Sequence, residues 1–210
     1  MINYYGILFL SHLIPFWVTF LYTTFKKTHK SSLCLMETLP IILFNQFIIT
    51  PVFITPILYY YSGRDIYYNN LFSYITFGLI KFILQSLLLN SYFSITHYLC
   101  HKIKYLFTNI HYIHHRLIIT HGAGAIYCHP LEHIFVNLSS VILPIIVFQT
   151  DLLWSSILIT YVSYETVIGH TPYINKTTSR HNLHHTYFNV NFDNSPYIFD
   201  KWIFKTYRSE

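Results

Sequence analysis

The apolar positions of this chain fall into long runs separated by short polar segments. Continuous apolar stretches cover Tyr4–Phe25, Leu39–Tyr61 and Leu71–Phe93. A helix needs about 20 apolar residues to cross the hydrocarbon of a bilayer. Each stretch is long enough, so the pattern predicts three membrane-spanning helices in the first half of the chain.

Two shorter apolar runs follow, Ile134–Phe148 and Leu152–Ile168, with only Gln149-Thr150-Asp151 between them. Such a short polar connection predicts a helical hairpin over residues 131–168. Each arm is near the lower length limit for a span, so the hairpin either crosses the bilayer or dips into it. The sequence therefore predicts an all-α integral-membrane bundle of about four to five spans.

We expect one membrane domain over residues 1–210. Residues 1–93 supply the transmembrane anchor helices. Residues 94–210, which include the hairpin, form a histidine-rich catalytic region.

Composition supports a membrane protein. Only 10% of the residues are charged and 53% are hydrophobic, whereas soluble domains carry about 25% charged residues. The net charge is +5, but the basic residues are spread along the chain, which argues against a nucleic-acid binder. Three widely spaced cysteines argue against a disulfide framework.

The basic residues predict the orientation in the membrane. Cytosolic loops carry an excess of Lys and Arg. If the first terminus lies outside, almost all basic residues fall on the cytosolic face, and only Arg64 falls in an outer loop. The same topology places every histidine-rich segment on the cytosolic side, and we expect the endoplasmic reticulum or an equivalent internal membrane.

Histidine is the unusual residue of this sequence. Twelve of the fourteen histidines lie between His97 and His185. They form one H-x3-H cluster and two H-x2-H-H clusters, with the members His97, His101, His111, His114, His115, His181, His184 and His185. Residues three and four apart share a helical face, and neutral imidazole is a metal ligand.

Eight clustered histidines predict a dinuclear metal centre. A structural zinc site takes four ligands, so eight are too many for one ion. All-imidazole ligation suits zinc, iron, copper or nickel, so ligand type alone does not choose the metal. A membrane metal-binding or transport protein and an inactive relative kept for lipid binding stay open as alternatives to an enzyme.

The motif series resembles the fatty acid hydroxylase/sterol desaturase superfamily of membrane di-iron enzymes. The resemblance runs from about Ser91 to Thr206 through HYLCH, IHYIHH, YCHPLEH, GHTPY, RHNLHH and NFDNSPYIFDKWIFKT. The order and spacing are most similar to C4-methylsterol oxidases. The chain departs from that pattern at Tyr98, where many members have Arg, at Asn90 and Ser91, where an acidic residue is common, and at Lys205, where Gly is common.

The resemblance implies a site and a cofactor. The eight clustered histidines correspond to iron ligands, His170 to a ninth ligand and His129, in the H-P-x-E step, to a tenth. The implied cofactor is a pair of iron ions that use O2. No catalytic residue beyond the metal ligands is implied.

The implied activity is oxidation of a sterol methyl group or a related lipid C–H bond. Fatty-acyl hydroxylation and sterol desaturation on the same site are alternatives. Because no haem-binding H-P-G-G stretch occurs, we expect electrons from NAD(P)H through a separate cytochrome b5-type donor. The expected partners are the membrane, a lipid substrate and this donor, without nucleic acid.

Four further residues are candidates for orienting a ligand. His121 and His133 either support a ligand imidazole or are polar residues at the membrane surface. Glu132 either accepts a ligand N–H or caps the start of the hairpin helix. Glu165 is a candidate carboxylate of the same kind, and Asp200 matches a family position without chemistry that the sequence explains.

Overall fold

The protein is mainly helical in the residues that the computed structural model describes, which are 4–25, 31–53, 70–172, 176–194 and 197–209. No β-strand occurs in these ranges. Within the described part of the chain, five helices are long and apolar enough to cross a membrane: α1 (Tyr4–Phe25), α2 (Leu35–Phe53), α3 (Leu71–Lys102), α5 (Pro130–Phe148) and α6 (Leu152–Gly169). The predicted all-α membrane bundle is confirmed.

Shorter elements carry the polar segments between and after these helices. Helix α4 covers residues 104–115 and includes a π-helical turn at Phe107–His111. A 3-10 turn follows at Gly122–Ile126. Helix α7 covers Lys176–Tyr187, and a π-helical turn at Phe199–Ile203 lies near the end of the described chain.

Helix α2 begins earlier than the apolar pattern predicts. It starts at Leu35 rather than Leu39 because the Glu37 carboxylate accepts a hydrogen bond from the Cys34 backbone N–H at 2.7 Å. An acidic residue in the first turn also suits the positive end of a helix. The predicted continuation of this span toward Tyr61 lies outside the described residues.

Helix α3 is longer than predicted and continues from Phe93 to Lys102, for a total of 32 residues. At about 1.5 Å per residue it is about 48 Å long, whereas the hydrocarbon core of a bilayer is about 30 Å thick. Helix α3 is therefore longer than an untilted span requires, and its carboxyl end carries His97 and His101.

Helices α5 and α6 form the predicted hairpin. Gln149 turns the chain with φ of 47°, and Asp151 begins α6 by accepting a hydrogen bond from the Trp154 backbone N–H at 3.0 Å. Helix α3 contacts this turn, because the Gln85 side chain donates a hydrogen bond to the Thr150 hydroxyl at 2.9 Å.

The opposite end of the bundle holds the histidines. Helix α1 packs against α6 and α3 against α5. The buried core at this end includes Phe16 and Phe20 of α1, Ile42 of α2 and Leu117. The Ser32 backbone N–H donates to the Ile119 carbonyl at 3.0 Å, so the segment before α2 lies at the same end as the segment after α4.

Candidate metal centre

Nine histidines converge into two adjacent groups. The five-histidine group comprises His97, His101, His111, His115 and His184, and the four-histidine group comprises His114, His170, His181 and His185. Within each group, one nitrogen from every ring lies within 4.8 Å of all the others. The groups lie side by side, because the ring centroids of His115 and His185 are 4.7 Å apart.

Helical geometry divides each H-x2-H-H cluster between the two groups. Residues i and i+4 differ by about 40° around a helix, whereas i+3 and i+4 differ by about 100°. His111 and His115 accordingly enter the five-histidine group, and His114 enters the other. In the third cluster the assignment is reversed: His181 and His185 enter the four-histidine group and His184 enters the five-histidine group.

The convergent nitrogens are Nε2 atoms. In the five-histidine group, Nε2 of His111 lies 2.7 Å from Nε2 of His101, and Nε2 of His184 lies 3.1 Å from Nε2 of His115. In the four-histidine group, Nε2 of His170 lies 2.9 Å from Nε2 of His181 and 3.3 Å from Nε2 of His114. These separations bring lone-pair positions of several rings to one point in each group.

The other ring nitrogen, Nδ1, is held by a hydrogen-bond acceptor in five of the nine rings. His97 contacts the carbonyl of Phe192 at 2.9 Å, His114 that of Tyr127 at 3.1 Å, His170 that of Thr166 at 2.9 Å, His184 that of Val190 at 2.7 Å, and His111 contacts Glu132 Oε1 at 2.8 Å. A carbonyl oxygen only accepts, so Nδ1 carries the proton and Nε2 of the neutral ring has a free lone pair.

This tautomer assignment fits a site that could hold a cation. His114 and His170 both use their Nδ1 proton elsewhere, so neither neutral ring has a proton to place between the two Nε2 atoms that face each other at 3.3 Å. Two facing lone pairs repel unless a cation lies between the rings and accepts both. The donor set and its orientation therefore fit bound metal ions.

Burial keeps the imidazoles neutral. It lowers the pKa of His111 to about 3 and the pKa values of His115, His184 and His185 well below the ordinary range, with neighbouring histidines adding to the effect. A cationic imidazole loses its hydration in such a site. Neutral imidazole is the form that binds metal.

Glu132 is the carboxylate closest to this chemistry. It is buried, and its Oε1 accepts the Nδ1 proton of His111. A carboxylate that accepts from a ligand imidazole fixes the orientation of the ring and increases its basicity. The structure shows both features that the sequence offered for Glu132: it contacts a candidate ligand and it lies in the first turn of α5.

The structure places His129 differently from the other nine predicted ligands. Among the described residues, neither group includes it. Its Nδ1 accepts a hydrogen bond from the Leu131 backbone N–H at 3.1 Å, which makes His129 the cap of α5. The proline that follows favours a helix start at this position, so the H-P-x-E step begins the helix that carries Glu132.

The other three candidates have separate environments. His121 accepts from the Gly124 backbone N–H and contacts the Thr38 hydroxyl, and His133 contacts the Thr50 hydroxyl at 2.9 Å. Both are buried and join the helices around the site. Glu165 lies on an exposed position of α6, five residues before His170.

Of the groups that hold Nδ1, the sequence prediction named Glu132 and none of the others. Four of them are backbone carbonyls, which every residue has, so no sequence signal distinguishes them. Asp200 did carry a signal as a family position, and the structure shows that its carboxylate is fully buried and accepts three hydrogen bonds within the carboxyl-terminal segment.

Comparison with known proteins points to one family. Residues 82–206 match the fatty acid hydroxylase family, and this range includes all nine convergent histidines. The chain is 24% identical to sphinganine C4-monooxygenase 2 of Arabidopsis thaliana over 132 residues, which are 58% of this chain and 51% of the relative.

A second relative covers a shorter part. The chain is 37% identical over 57 residues to very-long-chain aldehyde decarbonylase GL1-9 of Oryza sativa subsp. indica, which is 27% of this chain and 22% of the relative. The chain thus spans about half or less of the length of these relatives. No solved structure matches it. The family match, which covers more than half of the chain, shows that this helical membrane protein belongs to the fatty acid hydroxylase family.

Proposed function

We propose that this chain is an O2-dependent lipid oxygenase in which the nine convergent histidines hold two iron ions. The convergence of neutral, unprotonated Nε2 atoms into two adjacent groups carries the proposal. Zinc would fill such sites as well, but it has no redox chemistry. Membership of a hydroxylase family therefore favours iron, which would supply O2 activation and the removal of hydrogen from an unreactive C–H bond.

The chain's own contribution is orientation and a water-poor site. Backbone carbonyl groups fix the imidazole rings in one tautomer. The Phe192 carbonyl does so for His97, and the Val190 carbonyl does so for His184. Burial excludes water from His115, His184 and His185, which keeps these rings unprotonated. Such preorganisation is what a protein adds to the chemistry of a bound cofactor.

The substrate is proposed to be a membrane lipid. The site lies at one end of a bundle of apolar helices, so a lipid can stay in the bilayer while its reacting carbon reaches the metal centre. The motif spacing favours a sterol methyl group. The similarity to a sphinganine C4-monooxygenase over 58% of the chain favours a long aliphatic chain as the second substrate class.

We further propose that the histidines face the cytosol of an endoplasmic-reticulum type membrane and that a cytochrome b5-type protein donates electrons there. Exposed basic side chains lie at the histidine end, including Lys102, Lys104 and Arg116. Complementary charge would steer an acidic electron donor to this surface.

The test is lipid profiling of cells that express the wild-type chain, a His114→Ala variant or a Thr186→Ala variant. Thr186 is exposed and adjacent to His185, so its variant is the matched control. We expect an oxidised lipid with the wild type and the control and none with His114→Ala. The mass of the product separates a sterol from a long-chain base, and identical lipid profiles in all three cultures would refute the proposal.

A further inference from the structure

The carboxyl-terminal segment folds around one buried carboxylate. Asp200 is 0% exposed. Its Oδ1 accepts hydrogen bonds from the Phe192 backbone N–H at 3.0 Å and the Thr206 hydroxyl at 2.7 Å, and its Oδ2 accepts from the Asp193 backbone N–H at 2.8 Å. All three contacts come from donors, which is the environment of an ionised carboxylate because that group only accepts.

One of these contacts leads directly to a candidate metal ligand. The N–H of Asp193 and the C=O of Phe192 belong to the same planar peptide unit, in which they point in opposite directions. The N–H points at Asp200, and the C=O accepts the Nδ1 proton of His97 at 2.9 Å. The contacts therefore run from the Asp200 carboxylate through the Phe192–Asp193 peptide group to the His97 imidazole.

A second contact sets this peptide group against α3. The Asp193 carboxylate accepts a hydrogen bond from the Ser94 hydroxyl at 2.7 Å and another from the Phe199 backbone N–H at 2.9 Å. Ser94 lies three residues before His97, on the same face of the helix. The carboxyl-terminal segment is thus hydrogen-bonded to the turn of α3 that carries His97.

We propose that Asp200 is a positioning residue for His97 and acts through the Phe192–Asp193 peptide group. The carboxylate holds that peptide so that its carbonyl fixes the ring, and its negative charge polarises the peptide and strengthens the carbonyl as an acceptor. The inference rests on the proposed two-ion centre and deepens it, since Asp200 would support the five-histidine group and not the four-histidine group.

Glu132 provides an internal comparison. It contacts His111 of the same group directly, whereas Asp200 reaches His97 through one peptide unit. In the four-histidine group, the acceptors for His114 and His170 are the neutral carbonyls of Tyr127 and Thr166. Both carboxyl groups thus make their hydrogen-bond contacts toward ligands of the five-histidine group.

The experiment uses the full chain in lipid nanodiscs without oxygen and lets a ferrous chelator compete with the chain for iron. This competition resolves the affinity with which the chain binds each ion. Loss of a partner that supports a ligand costs about 10- to 100-fold in metal affinity, so Asp200→Asn should weaken one ion by that factor and leave the other unchanged. The matched control is Asp151→Asn, because Asp151 also accepts a backbone N–H but lies at the opposite end of the bundle.

A double-mutant cycle separates positioning from simple destabilisation. If Asp200 acts through His97, Asp200→Asn should change the affinity of the five-histidine group little once His97→Ala is present, because coupled residues are not additive. Full additivity, or equal weakening of both ions, would overturn the proposal.

Three further outcomes are informative. If Asp200→Asn does not fold, Thr206→Val removes one donor to the same carboxylate and should weaken the same ion, while unchanged affinities would contradict the inference. If the wild-type chain binds fewer than two ions, the proposed function itself fails. If the wild type binds two ions and Asp200→Asn binds both with unchanged affinity, only the role of Asp200 fails.

Discussion

At the level of single residues, five of the imidazoles in this centre have two nitrogens with different tasks. Nδ1 gives its proton to a fixed acceptor, as in the contact of His184 with the Val190 carbonyl. Nε2 then presents a lone pair to the group. The acceptor therefore decides which nitrogen can bind metal, and the sequence clusters alone do not specify it.

Burial of these rings predicts a pH dependence of stability in the metal-free chain. The pKa of His111 falls from 6.5 to about 3 on folding because burial disfavours the cation. Between these values the unfolded chain binds more protons than the folded chain, so stability is complete above pH 6.5 and decreases as the pH falls. Each such histidine contributes up to about 1.4 kcal/mol per pH unit.

Thermal unfolding between pH 7 and pH 5 measures this effect. We expect the unfolding temperature of the metal-free chain to fall with pH, and the decrease to be shallower in a His111→Gln variant that removes one titrating group. A constant unfolding temperature across this range would contradict the described burial.

Lys205 predicts a stabilising substitution. Its φ is 56°, in the left-handed region that costs an L-residue about 1–2 kcal/mol. Glycine removes that cost but adds about 0.4–1 kcal/mol of unfolded-state entropy. We expect Lys205→Gly to raise the free energy of unfolding by about 0.5–1 kcal/mol, measured by denaturant unfolding, with the exposed Lys201→Gly as a control that does not stabilise.

At the level of helices, α3 connects the membrane to the metal centre. Its amino-terminal part packs closely on α6, because a Cβ atom on Gly78 would lie only 1.9 Å from the Trp154 ring. Small residues allow such close approach between membrane helices. The carboxyl end of the same helix carries His97 and His101.

This close approach predicts that Gly78→Ala destabilises the bundle. Alanine favours a helix over glycine by about 1 kcal/mol, but the methyl group would displace the Trp154 ring, and overpacking costs about 1–3 kcal/mol. We expect a lower unfolding temperature in detergent. Gly169→Ala is the matched control, since nothing lies within 4 Å of its added Cβ, and a Gly78→Ala chain as stable as this control would argue against the packing.

The sequence predicts the helices better than it predicts their ends. Apolar runs identify α1 and α6 almost to the residue, whereas α5 begins at Pro130, four residues before its apolar run starts at Ile134. The start of α2 depends on the Glu37 contact with Cys34, and the extension of α3 from Phe93 to Lys102 runs through polar histidines that no apolar pattern includes.

For the site, the spacing of the histidines predicts which rings come near one another. It does not predict how the rings divide between the five-histidine and four-histidine groups. The reversed assignment of His114 and His184 depends on how α4 and α7 face each other. The acceptors for Nδ1 come from distant segments, such as Phe192 for His97, and tertiary contacts of that kind have no local sequence pattern.

At the level of the whole molecule, the topology brings every histidine segment to one end. Helices α1, α3 and α6 finish there, and α2 and α5 begin there. The contact of Ser32 with Ile119 joins the connection between α1 and α2 to the segment that follows α4. That this end faces the cytosol is a proposal based on the distribution of basic residues.

Cys34 tests the orientation with a native probe. It is exposed, whereas Cys100 and Cys128 are buried, and it lies two residues from Ser32 at the histidine end. In sealed microsomes with the cytosolic face outward, a membrane-impermeant maleimide should label Cys34 without detergent, and Cys34→Ser should lose the label. Labelling that requires permeabilisation would place the histidines in the lumen.

The convergence of nine imidazoles on two ions is tested most directly by the iron content of the purified chain after anaerobic loading. We expect two ferrous ions per wild-type chain and about one in each of two variants, His111→Ala in the five-histidine group and His185→Ala in the four-histidine group. A wild-type ratio of one or less, or two ions retained in both variants, would contradict a paired histidine centre.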